Sequence, residues 1–207
     1  MNVPDAKRRP NARALHRRRV VAVIGSGTTT DPACVEIGQL VASLGADLLT
    51  GGGRGVMEAV SRAFFESQPR KGIVVGVIPA TVDPLNVLER RDATPIAYEL
   101  SDGYPNPWVE LAIYTHLPDS GQQGTLRSSR NHINVLSADV IVALPGEAGT
   151  ESEMWLAVQY GVPTVAYSAH RSTVPMGVVQ ARTLDEVRAF LLEHLPTPSR
   201  LAPSNSL

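Results

Sequence analysis

The 207-residue sequence has one cysteine, few aromatic residues (5%) and no apolar run long enough to cross a membrane. Because Cys34 stands alone, neither an intrachain disulfide nor a cysteine-rich metal site is expected. A membrane span needs about 20 apolar residues. The arginine-rich start is followed only by the short apolar run 20–24, which is too brief for a signal peptide. These absences predict a cytoplasmic protein with no membrane partner.

Several nucleotide and metal motifs are also missing. No GxxxxGK(S/T) loop is present, which argues against ATP hydrolysis. The first glycine loop has Thr30 where the third glycine of GxGxxG belongs, so NAD binding has little support. The five histidines are scattered and no HExxH occurs. His116 and His132 are therefore interpreted as structural or ligand-orienting residues, and neither a metal nor a cofactor is expected.

Charge is nearly balanced over the chain but unevenly distributed. The net charge of −1 argues against nucleic acid as the main partner. Residues 1–19 nevertheless carry seven of the 19 basic residues against a single acid. We expect residues 1–18 to form a disordered, solvated arm, with contact to nucleic acid or anionic lipid as the less favoured alternative. Residues 19–195 are expected to form one domain with its own core, and the Pro/Ser-rich residues 196–207 a loose tail.

Apolar runs of strand length alternate with helical segments across this domain. The run 139–144 (DVIVAL) is almost wholly apolar, as expected for a parallel strand that is buried on both faces. Asp31, followed by Pro32, is predicted to cap the first helix, and Thr150 the helix after run 139–144. Thr183 to Glu186, which have the pattern of a capping box, are predicted to open the last helix. The alternation predicts an α/β fold, a Rossmann-like three-layer sandwich with a mostly parallel central sheet.

Residues 80–124 interrupt this alternation and contain five prolines. A strand is predicted at 108–115, and the rest is interpreted as a lid, a binding loop or a dimer element. Tyr98, Tyr104 and Trp108 are candidates for stacking on a base, although packing of the insert or a dimer surface is the favoured interpretation.

Three glycine loops each follow a predicted strand and precede a predicted helix. They lie at 25–27 (GSG), 51–55 (GGGRG) and 145–150 (PGEAGT). Because the carboxyl ends of parallel strands share one sheet edge, the helix amides after these loops should converge there and bind an anion. We therefore predict a phosphate-bearing small-molecule ligand. The predicted ligand-binding residues are Gly25, Ser26, Gly52, Gly53, Arg54, Gly55, Arg127, Pro145, Gly146, Gly149 and Thr150.

Two of these loops resemble the sequence signatures of a known family. Residues 51–57 (GGGRGVM) and 145–153 (PGEAGTESE) resemble the GGGxxGLM-type and PGGxGTxxE signatures of the LOG-like Rossmann family, whose members were often labelled lysine decarboxylases. The resemblance covers residues 19–195 apart from the insert, and it implies a homodimer. Family members include cytokinin-activating and related nucleoside 5′-monophosphate phosphoribohydrolases, and a relative carries molybdenum cofactor without catalysis. The resemblance implies a catalytic pair, Arg130 and Glu153.

The chemistry of this pair can also be argued directly. Cleavage of an N-glycosidic bond builds positive charge on the ribose, which a buried carboxylate such as Glu153 would stabilise. Arg130 offers planar paired donors to phosphate or to the departing base, and Arg127 is expected to help from the same helical face. The alternatives are that Glu153 closes a capping box with Thr150 and that Arg130 pairs with a surface acid. Arg54 is equally well explained as a phosphate contact or as an exposed turn residue.

The leading hypothesis is hydrolysis of a nucleoside 5′-monophosphate to free base and ribose 5-phosphate. The alternative is a non-catalytic carrier of a nucleotide or of a phosphorylated pterin such as molybdenum cofactor. Two departures from the family pattern favour the carrier somewhat. The usual MHxRK context of the arginine is replaced by 127–131 (RSSRN), and Glu147 stands at the second glycine of the PGG motif. A carboxylate there is expected to repel phosphate, and its backbone would be strained if the position required a positive φ.

Overall fold

The computed structural model describes residues 18–81, 99–168 and 174–196. The predicted arm up to residue 17, the tail beyond residue 196 and Tyr98 lie outside the described residues. In chain order the strands are β1 (Val20–Ile24), β2 (Asp47–Thr50), β3 (Val74–Ile78), β4 (Ala80–Thr81), β5 (Glu99–Leu100), β6 (Leu111–Tyr114), β7 (Val140–Ala143), β8 (Thr164–Tyr167) and β9 (Val179–Ala181). The helices are α1 (Ala33–Ser43), α2 (Val56–Glu66), α3 (Asn131–Ser137), α4 (Ala148–Tyr160) and α5 (Leu184–His194), with a 3-10 turn at Gly121–Gln123.

Seven of the strands form one parallel sheet in the order β6-β3-β2-β1-β7-β8-β9. The remaining two, β4 and β5, pair antiparallel with each other. The predicted Rossmann-like α/β fold is thus confirmed. The strand predicted at 108–115 exists as the shorter β6, which lies at an edge of the sheet.

The core has two halves, one on each face of the sheet. Side chains alternate between the faces along β1, so Val21 and Val23 join one apolar cluster while Ala22 and Ile24 join the other. Helices α1, α2 and α5 cover the first face, and α3 and α4 cover the second. This division places α3, which Arg130 directly precedes, and α4, which carries Glu153, together on one side of the sheet.

Two local predictions about helix starts are wrong. Thr150 is not an N-cap, because α4 begins at Ala148 with Glu147 as its N-cap residue, and Glu151 N donates to Glu147 O at 3.1 Å. Arg127 does not share a helical face with Arg130. It is exposed in a turn before α3, where Ser129 N donates to Leu126 O at 2.9 Å. At Glu147 the helix begins earlier than predicted, whereas at Arg127 a turn replaces the predicted helix.

Other predicted helix ends are confirmed. Asp31 Oδ1 accepts a hydrogen bond from Ala33 N at 2.8 Å at the start of α1, although that helix begins one residue after Pro32. Thr183 and Glu186 form a capping box at the start of α5. None of the helices in the described ranges combines the length and the apolar character that a membrane crossing requires.

Candidate functional site

A cavity of about 310 Å³ opens where β1 and β7 end, at the carboxyl edge of the sheet. This is the edge at which open α/β sheets bind ligands, and the volume is at the lower end of the range for small-molecule sites. The residues that line it come from the first glycine loop, the 3-10 turn, α3 and the start of α4. They are Gly25, Gly27, Thr28, Met57, Tyr104, Ser120, Gly121, Gln122, Arg130, Asn131, Glu147, Ala148, Gly149, Thr150 and Glu153.

Arg130 lies just before α3 and is 4% exposed. Its Nη1 donates to Val77 O at 2.9 Å. The guanidinium lies directly over Gly51, where an added Cβ would be 2.1 Å from Nη1, so this glycine makes room for the arginine. Within the described ranges, the buried Nε has no hydrogen-bond partner. Because Arg130 lines the cavity, this donor is a candidate partner for a polar ligand.

Glu153 lies on α4 and is 8% exposed. Its Oε1 accepts a hydrogen bond from Asn134 Nδ2 at 3.0 Å, so the carboxylate is positioned by α3 and not by the predicted capping box with Thr150. Burial raises the pKa of Glu153, and the positive charge of Arg130 and the Asn134 hydrogen bond oppose that rise. Arg130 and Glu153 therefore line the same cavity, and the charge of Arg130 acts on the Glu153 carboxyl group.

Ser26 forms hydrogen bonds that connect the three glycine loops. Its N donates to Pro145 O at 3.0 Å, and its O accepts from Val56 N at 2.9 Å. Its Oγ accepts from the amides of Thr28 and Thr29 and donates to Glu147 Oε1 at 2.9 Å. The three loops are therefore in close contact, and their glycines allow this close packing.

Glu147 and Thr150 flank the first turn of α4. Glu147 has φ −100° and ψ −155°, so the position does not require the positive φ that would strain a non-glycine residue. Thr150 is 3% exposed, and its Oγ1 has no hydrogen-bond partner in the part of the chain that the structure describes. Thr150 is a lining residue of the cavity, and its hydroxyl packs against Gly146, where an added Cβ would be 2.0 Å from Oγ1.

Tyr104 forms an aromatic wall of the cavity. Its ring lies against Gly53, and the segment is held by Asn106, whose N donates to Gly52 O at 2.7 Å and whose Nδ2 donates to Gly53 O at 2.9 Å. Trp108 packs elsewhere, with its ring centroid 5.5 Å from that of Phe65. Of these two predicted stacking candidates, only Tyr104 faces the cavity.

The predicted site residues divide into two groups. Gly25, Arg130, Gly149, Thr150 and Glu153 line the cavity. The others are not among its lining residues: Ser26, Gly52, Gly53, Gly55, Pro145 and Gly146 belong to the loops behind it, while Arg54 and Arg127 point to solvent. Arg54 pairs with Asp102 at 2.8 Å, and both side chains are more than half exposed.

The sequence interpretation missed the polar residues of α3. Asn131 and Asn134 are both buried, one helical turn apart, and their amide groups donate to Ser152 Oγ at 3.1 Å and to Glu153. Two asparagines at i and i+3, beside the apolar residues 133, 135 and 136 of the same short helix, are the signal that could have revealed them. Residues 120–122 also line the cavity, and they belong to the insert 80–124, for which a lid or a binding loop is among the predicted alternatives.

His132 has a structural role. One ring nitrogen, Nδ1, is 2.6 Å from Tyr160 Oη, and the other, Nε2, is 2.9 Å from Leu126 O, so the ring joins α3 to α4 and to the preceding turn. No group of three or more metal-ligating side chains converges within the described residues.

Comparisons with known proteins identify a family and several solved structures of similar fold. A family model described as the SLOG cluster4 family matches residues 18–191. No curated protein matches the sequence. The molybdenum cofactor binding protein from Rippkaea orientalis is 25% identical with a TM-score of 0.60, and the match covers 86% of this chain and 97% of that one.

Two further solved structures are similar in fold to this chain. The molybdenum cofactor carrier protein from Chlamydomonas reinhardtii is 25% identical with a TM-score of 0.59, over 86% of this chain and 98% of that one. The structural genomics target TM1055 is 24% identical with a TM-score of 0.59, over 84% of this chain and 99% of that one, and it supports the fold alone.

Proposed function

The chain belongs to the SLOG cluster4 family, and from its cavity we propose that it binds and carries a small ligand of the nucleotide or phosphorylated pterin class. The observation that carries the proposal is that Arg130 and Thr150 line one cavity and that each has a buried polar atom, Nε and Oγ1, with no partner among the described residues. Buried polar groups are normally satisfied, so a polar ligand that pairs with both would stabilise the site. The two molybdenum cofactor proteins of similar structure favour a carrier.

Hydrolysis of a nucleoside 5′-monophosphate is the second candidate. It is favoured by Arg130 and Glu153 in the same cavity, where a carboxylate can stabilise charge on the ribose and a guanidinium can orient phosphate or base. Because burial raises the pKa of Glu153, the side chain holds its proton to a higher pH than an exposed glutamate.

One experiment separates the two candidates. The pure protein is titrated calorimetrically with a panel of nucleoside monophosphates and with a phosphorylated pterin, and released base is measured by chromatography in parallel. A carrier binds at least one ligand without base release. Base release that is lost in Glu153→Gln, with binding retained, would establish the hydrolase instead. Absence of binding to every ligand of the panel would contradict the proposed function.

Tyr104 provides a prediction about the ligand. Since stacking of a planar ring on an aromatic side chain contributes about 1–3 kcal/mol, Tyr104→Leu is expected to weaken binding about tenfold. Tyr104→Phe keeps the ring against Gly53 and is the matched control. Calorimetric affinities that are equal for the two variants would show that the ligand does not stack there.

We also propose a homodimer, in line with the family resemblance. Both helices that carry site residues expose large apolar side chains, Leu136 on α3 and Trp155 and Val158 on α4. Light scattering is expected to give twice the mass of one chain for the wild type and a single-chain mass for Trp155→Glu, with Trp155→Phe as the control. A wild type with the mass of a single chain would refute the dimer.

A further inference from the structure

We propose that Glu147 makes this cavity select against a phosphate dianion at the first turn of α4, so that the ligand group bound there is uncharged. The inference rests on the proposed function, because it concerns how the same cavity recognises its ligand. It departs from the simple expectation that three glycine loops followed by helices bind phosphate at each helix start.

The first turn of α4 has the features of a binding position. Ala148, Gly149 and Thr150 begin the helix and line the cavity, with the positive end of the helix dipole beside it. Thr150 is itself a lining residue, and its buried Oγ1 has no partner among the described residues.

Glu147 places the chain's own negative charge at this position. Its Oε1 accepts a hydrogen bond from Ser26 Oγ at 2.9 Å. That hydroxyl already accepts from the amides of Thr28 and Thr29, at 3.2 and 3.0 Å, so its proton is left for the carboxylate. The contact therefore orients Glu147 toward the loop that an anionic ligand would approach.

The charges around the cavity support the same conclusion. Its charged lining residues, within the described part of the chain, are one cation, Arg130, and two carboxyl groups, Glu147 and Glu153. Arg54 and Arg127, the other arginines predicted to bind phosphate, do not line it. A phosphate dianion beside Glu147 would meet like charge at close range, which is strongly unfavourable across an interface. An uncharged hydroxyl, such as that of a ribose, can instead donate to Glu147 and bond to Thr150.

The test uses inorganic phosphate as the probe and four variants of the full chain. Glu147→Gln removes the charge while its amide oxygen can still accept from Ser26, and Glu147→Gly restores the family glycine. Glu151→Gln is the matched control, since Glu151 is also a first-turn carboxylate of α4 but is exposed and outside the cavity lining. The double variant Glu147→Gln/Thr150→Val reports whether the phosphate lies at the α4 turn.

Phosphate affinity is measured by calorimetry at physiological salt, where distant charges are screened. Both single Glu147 variants are expected to bind phosphate about tenfold or more tightly than the wild type, whereas Glu151→Gln changes affinity about threefold or less. The gain is expected to fall in the double variant. Equal affinities in the wild type and both Glu147 variants would overturn the inference, as would a gain that is unchanged in the double variant.

This outcome can be told apart from failure of the proposed function. The gain in phosphate affinity is a comparison among variants and does not require the natural ligand. Failure of the proposed function would show as a wild type that binds no nucleotide and no pterin. Thermal melts verify folding, and since Glu147 is exposed, both of its variants are expected to melt as the wild type does.

Discussion

Arg130→Ala is expected to lower the free energy of unfolding by about 3 kcal/mol and to reduce ligand affinity at least tenfold. The guanidinium is buried, donates to Val77 O and provides the positive charge that opposes the raised pKa of Glu153. Its removal leaves a buried carboxyl group without a nearby opposite charge and an unfilled space over Gly51. Urea unfolding at neutral pH and calorimetric titration measure the two effects.

Arg127→Ala is the matched control for this prediction. The two arginines are three residues apart in sequence, yet Arg127 is exposed and Arg130 is buried. An exposed substitution of this kind usually changes stability by about 0.5 kcal/mol or less. Arg130→Lys adds a second comparison, because it keeps the charge but loses the planar donors. If the two alanine variants had the same stability, Arg130 would not be the buried anchor of the site.

The second large effect concerns the pH dependence of stability at Glu153. Since burial raises its pKa in the native state above the ordinary value of 4.5, the native protein holds this proton more tightly than the unfolded chain does. The free energy of unfolding therefore falls as pH rises from about 4.5 to the raised native pKa, and the contribution is constant above it. Each tenfold difference in proton affinity changes stability by about 1.4 kcal/mol.

Glu153→Gln is expected to abolish this pH dependence. The glutamine resembles the protonated acid and can still accept from Asn134, so its stability relative to the wild type rises with pH across the same window. Urea unfolding midpoints at a series of pH values measure the difference. Glu151→Gln removes an exposed carboxylate from the same helix, and its curve should parallel that of the wild type. Parallel curves for Glu153→Gln and wild type would mean that Glu153 is not buried as described.

The ligand-binding behaviour of Glu153→Gln then distinguishes the functions. For a carrier, the neutral isostere should retain most of the affinity, because it keeps the hydrogen-bonding shape of the acid. For a hydrolase, the same variant should bind but fail to release base, since loss of one stabilising group typically costs about 10²–10³-fold in rate.

Much of the fold could be predicted from the sequence because its signals are local. Apolar runs such as 139–144 indicate buried strands, and the glycine loops mark the strand ends. Thr183 together with Glu186 indicates a capped helix. The cap at Thr150 was wrong because the competing start at Glu147 depends on how the preceding loop packs against Ser26. That contact joins residues more than 100 positions apart, beyond the reach of a local pattern.

In the candidate site, too, local sequence signals predicted some features, whereas contacts between distant segments decided others. The residue types of the pair Arg130 and Glu153 were recognisable from their motif, but their meeting in one cavity depends on the packing of α3 against α4. Tyr104 lines the cavity and Trp108 does not, because Asn106 holds this part of the insert to the second glycine loop.

The sequence by itself determined the order of strands and helices, the parallel sheet and the three loops at its carboxyl edge, because hydrophobic period and turn chemistry act over a few residues. Only the tertiary structure decided that Glu147 contacts Ser26, that Arg127 faces solvent while Arg130 is buried, and that the buried Thr150 hydroxyl has no partner among the described residues. Those outcomes depend on burial and on hydrogen bonds between distant segments, which are settled when the layers of the sandwich pack together.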